Sequence, residues 1–116
     1  MPPITATEVD LLACFCVEPS LLDDDVPWCY NESLYRTEVD GLEILFTVLP
    51  AYRDVKLSII REGKRLYELN ARNVHDVRVL DEPGRDVLVI LLTLHERLHL
   101  QLRPTFEMSH FFESND

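Results

Sequence analysis

The chain is 116 residues long, 47% hydrophobic and 28% charged, with a formal net charge of −10. That length buries a core without metal or disulfide staples, and no apolar run approaches the roughly 18 residues of a membrane span. So negative a field repels nucleic acid and anionic membrane and favours basic partners.

The charge is uneven. Residues 1–54 hold eleven acids and two bases, whereas residues 55–116 hold ten and nine. The N-terminus lacks the basic and apolar regions of a secretory signal, so the expected location is cytoplasmic. The cysteines, Cys14, Cys16 and Cys29, are odd in number and lack the spacing of a disulfide or zinc framework. They read as free thiols in a reducing compartment.

In chain order, residues 5–17 predict a helix. Thr5-x-x-Glu8 has the form of a capping box, in which each side chain satisfies the other residue's free amide. Val9, Leu11, Leu12, Phe15 and Cys16 approximate a stripe at helical spacing, and Pro19 stops the helix soon after Val17. Pro2 and Pro3 precede it. Residues 18–33 form an irregular acidic loop. Asp23, Asp24 and Asp25 must face water or a cation, and Trp28 and Tyr30 follow directly. Acids beside large amphipathic aromatics suit a recognition surface. The alternative for Trp28 is a plug at the open end of a sheet.

From residue 34 to residue 110 the hydrophobic period is two, which predicts antiparallel β-structure. Asp40-Gly41 is a strong hairpin signal, because a type I′ turn needs positive φ at both central residues. It pairs Val39 with Leu42, Thr37 with Ile44 and Tyr35 with Phe46 on one face, and sets Glu38 against Glu43 on the other. A second hairpin turns at Arg61-Glu62-Gly63-Lys64, with a bulge expected at Gly63 to restore the register. Lys56, Arg61, Lys64 and Arg65 make this hairpin basic. Without interleaved aromatics they give no nucleic-acid site. Asp81-Glu82-Pro83-Gly84 places Pro and Gly for a type II turn, and Phe106, Met108 and His110 suggest a last strand before a frayed tail at Glu113–Asp116.

Val87–Pro104 contains His95-Glu96-Arg97-Leu98-His99, which fits H-E-x-x-H. On a helix this pattern brings two imidazoles to one face with a carboxylate that activates zinc-bound water. It resembles the motif of zincin metallopeptidases over those five residues alone. A zinc hydrolase using His95, Glu96 and His99 is therefore one reading. However, Leu98, Leu100 and Leu102 alternate with polar residues, and β-branched Val87, Val89 and Ile90 follow a turn, so a strand hairpin is expected instead. No third ligand is suitably placed, and the glycines, Gly41, Gly63 and Gly84, are all used by turns, which leaves no phosphate cradle.

The expectation is a mostly-β single domain over residues 1–116. It has one N-terminal helix and an antiparallel meander of six or seven strands curled into a sandwich or partial barrel. It has no cofactor or metal and is non-enzymatic. Asp23, Asp24, Asp25, Trp28 and Tyr30 would bind a basic protein, as acidic inhibitors and immunity proteins of nuclease toxins bind theirs. A structural module that self-associates into a homodimer through a sheet edge is the remaining reading.

Overall fold

The computed structural model describes residues 4–113. Pro2, Pro3 and the tail after Glu113 lie outside the described residues. The helix, α1 (Glu8–Phe15), is shorter than the expected 5–17. Its capping box is made by Thr7 and Asp10, not by Thr5 and Glu8. Thr5 is engaged elsewhere: its N–H donates to Asp76 Oδ1 at 2.7 Å and its hydroxyl to Oδ2 at 2.5 Å. Cys16 adopts the left-handed conformation at φ 57° and ends the helix, its N–H returning to the Leu12 carbonyl. The buried face is Leu11, Cys14 and Phe15. Val9, Leu12 and Cys16, expected in the stripe, are exposed, because a helix of two turns meets the core along one narrow line.

Two antiparallel sheets follow. Sheet A runs in the order β1 (Ser20–Leu21), β2 (Ser33–Val39), β3 (Leu42–Leu49), β4 (Asp54–Arg61) and β5 (Lys64–Ala71). Sheet B runs β6 (Asp76–Glu82), β7 (Arg85–Leu91), β8 (Glu96–Arg103) and β9 (Glu107–Phe112). The mostly-β, sandwich-like architecture with one helix matches the expectation. The strand set is fuller than six or seven, partly because the two-residue β1 forms inside the segment read as loop.

The first hairpin has the expected register: Val39 faces Leu42, Thr37 faces Ile44, and Tyr35 faces Phe46. Asp40 and Gly41 both take positive φ, 51° and 78°, as a type I′ turn requires. Glu38 does face Glu43, and Arg36 approaches Glu43 at 3.4 Å to offset the repulsion. The second hairpin differs in one detail. Glu62 and Gly63 make a two-residue turn joining Arg61 to Lys64, and the irregularity falls deeper. Ile59 faces Tyr67 while Ile60 faces Arg65, so Leu66 is the extra residue. The bulge re-aligns Tyr67, Leu69 and Ala71 with the core face of β4 and leaves Leu66 exposed.

The core lies between the sheets. Tyr35, Ile44, Phe46, Val48 and Leu57 from sheet A meet Leu88, Ile90, Leu98, Leu100 and Leu102 from sheet B, all fully buried. Helix α1 closes the gap between β2 and β6–β7. Phe15 wedges in with its ring stacked on Tyr35 at 5.4 Å and Phe46 at 5.6 Å. The chain crosses from one sheet to the other through residues 72–75, where Val74 donates to the Arg53 carbonyl and His75 to the Leu91 carbonyl. No described helix is long and apolar enough to cross a membrane.

Candidate protein-binding site

The acidic loop is a closed structure. β1 pairs with the start of β2, Leu21 facing Ser33, and Leu22 N–H donates to the Glu32 carbonyl at 2.9 Å. The intervening residues therefore form a compact loop with its ends together. Asn31, only 3% exposed, ties it from inside. Its side-chain amide donates to the carbonyls of Asp23 (2.6 Å) and Val26 (3.0 Å), and its amide oxygen accepts from Asp23 N–H (3.3 Å). Asp23 spends its carboxylate on the loop itself, accepting from Asp25 N–H at 3.0 Å in an Asx turn. Asp24 and Asp25 are exposed.

The two aromatics separate by role. Trp28 opens a single 3₁₀ turn, Trp28–Tyr30, and points inward. It packs against the core and its Nε1–H donates to the Tyr35 hydroxyl at 3.1 Å. Tyr35 is fully buried, and burial pushes its phenol up to about 12 despite that bond. Trp28 is thus half-buried, with part of its ring left at the surface. Tyr30 is 68% exposed and faces outward.

Two neighbours escaped the sequence reading. Leu22 at the loop's entry is 76% exposed. Ala51 N–H donates to the Cys29 carbonyl at 2.9 Å, which brings the turn after Pro50 against the loop, and its Tyr52 is 65% exposed. An aromatic in a short turn, flanked by neither strand's hydrophobic alternation, was the available signal for Tyr52.

The same fold occurs in a solved toxin–immunity complex. One chain of the contact-dependent growth inhibition toxin–immunity protein complex from Klebsiella pneumoniae 342 superposes with a TM-score of 0.76. The match covers 95% of this chain and 97% of that one at 16% sequence identity. No protein-family model matches the chain, nor does the sequence of any curated protein.

The H-E-x-x-H residues are separated by their strand. His95 sits in the β7–β8 turn, its N–H donating to Thr93 Oγ1 at 3.1 Å. Glu96 begins β8 and meets His110 Nε2 at 2.7 Å. His99 lies three positions on, so it faces the other side of the sheet. There it packs edge-on against Phe111 at 5.0 Å. Burial and the neighbouring Arg97 both lower its pKa. The one-turn spacing that makes the motif a zinc site exists only on a helix, and this stretch is a hairpin. Among the described residues, no group of three or more His, Cys, Asp and Glu is placed to hold a metal ion.

Proposed function

We propose that this chain is a cytoplasmic, non-enzymatic inhibitor of the immunity type, which binds a basic protein through Asp23, Asp24, Asp25 and Tyr30, with Trp28 anchoring the loop to the core beneath them. The observation that carries the reading is the acidic loop locked by Asn31. A loop ordered before binding loses little entropy on association. Its exposed carboxylates speed the encounter with a basic surface, and Tyr30 offers a rigid amphipathic anchor. The toxin–immunity complex that shares the fold supports the same reading.

The test uses the product of the gene adjoining this chain's own. Expressed alone it should arrest growth, and co-expression with this chain should restore it. Replacing Asp23, Asp24 and Asp25 together by Lys should abolish the rescue and the purified complex. Full rescue by the triple variant would sink the assignment of the site.

A second reading rests on β9. All six of its residues are exposed, it lies at the free edge of sheet B, and it carries neither Pro nor Lys to guard that edge. Pairing of two β9 edges would make a homodimer. Sedimentation at rising concentration tests this: a dimer that Met108→Pro, which removes an N–H facing the free edge, dissociates supports it, and a monomer throughout removes it.

A further inference from the structure

The sandwich has two unlike ends. At one end the chain turns through Asp40-Gly41, Glu62-Gly63, Pro83-Gly84 and Pro104-Thr105, all exposed and short. At the other end lie the acidic loop, the turn after Pro50, the crossover 72–75 and the tip of the β7–β8 hairpin. Backbone hydrogen bonds link these segments in series: Ala51 to Cys29, Val74 to Arg53, His75 to Leu91, and Glu113 to His95. This end carries five of the ten large hydrophobics exposed among the described residues, Leu22 (76%), Tyr30 (68%), Tyr52 (65%), Leu94 (68%) and Phe112 (76%), the others being spread over α1, β5 and β9. Singly exposed apolar residues need no explanation, but a group on one end of a molecule does.

We infer that the contact surface extends beyond the acidic loop across the whole of this end, with Leu94 and Phe112 of sheet B forming its apolar flank. The inference rests on the protein-binding reading above. Charge complementarity identifies the occupant. The sheet A flank carries Asp23, Asp24 and Asp25 with Tyr30 and Tyr52, and the turn and crossover between the flanks carry Arg53, held to the His75 carbonyl, and Arg72. On the sheet B flank Leu94 is exposed and Phe112 stacks on His110 at 5.1 Å. The surface fits a protein that presents a basic patch bordered by an apolar one. The acids steer the encounter, and the apolar flank, once dehydrated, slows dissociation.

The probe is again the purified product of the adjoining gene. Leu94→Asp and Phe112→Asp should each weaken the complex about tenfold or more. Leu66→Asp, an exposed residue on the β5 bulge, should change it less than about twofold. Far-UV circular dichroism and Tm matching the parent would show that the variants fold. If both sheet B variants bind like the parent while the Asp-to-Lys triple variant does not, the inference fails and the acidic-loop reading stands. If the parent forms no complex, both fail. If Leu94→Asp and Phe112→Asp dissolve a self-dimer and leave the heterocomplex intact, the surface is a self-contact and the inference is overturned.

Discussion

Asp76 fastens the N-terminal segment to sheet B. It is 6% exposed and accepts from the Thr5 hydroxyl and N–H, from Val77 N–H at 2.8 Å, and from Arg78 Nε at 2.9 Å. Burial alone would raise its pKa, but the bonds from Thr5, Arg78 and Val77 outweigh it and hold the carboxyl at about 2, below the ordinary 3.8. A depressed carboxylate stabilises the fold above its unfolded pKa and loses that contribution as pH falls through the folded one. Asp76→Asn should therefore cost about 2 kcal/mol at neutral pH. It should also flatten the decline in urea-derived stability between about pH 4 and pH 2. An unchanged acid profile would refute this role. The sequence could not reveal it. Locally Thr5-x-x-Glu8 fits the capping-box pattern better than Thr7-x-x-Asp10 does, and the contact that claims Thr5 comes from 71 residues away.

The hairpins were legible because turn chemistry and alternation are local. Asp40-Gly41 set the register of β2 and β3 from two residues, and Leu98-x-Leu100-x-Leu102 outweighed a five-residue metal motif. The position of the bulge was not legible. Shifting the extra residue from Gly63 to Leu66 preserves the inward pattern, so nothing in the alternation distinguishes the two. The acidic loop was legible in composition and not in construction, since Asn31 reads as one more polar loop residue. Asn31→Ala removes three hydrogen bonds inside the loop and leaves the Asp23 and Val26 carbonyls to find water. Amide exchange should quicken at least about tenfold at Asp23–Val26 while the core strands keep their protection. Protection retained in the loop would mean that β1 pairing alone orders it.

At the scale of the molecule, the charge asymmetry becomes a statement about rates. If the partner is basic, its association rate should fall several-fold to tenfold between about 50 and 200 mM salt, as long-range attraction is screened. The dissociation rate should move much less. Stopped-flow measurement at several ionic strengths would show this, and a salt-independent association rate would contradict a steering role for the acids. The mostly-β class and the sandwich among its possible closures followed from spacing, whereas the point at which the chain leaves one sheet for the other did not, because the crossover at residues 72–75 looks in sequence like any other turn. That crossover also bears on how the protein is assembled. Apart from it, each strand is laid down beside the one before it, so either sheet forms from contacts that span only a short length of chain. Such local pairing favours fast folding. Docking of the two finished halves, with Phe15 sealing the seam, is left as the step that needs distant parts of the chain to meet. Mutations in the seam should therefore change the folding rate differently from mutations in the hairpins.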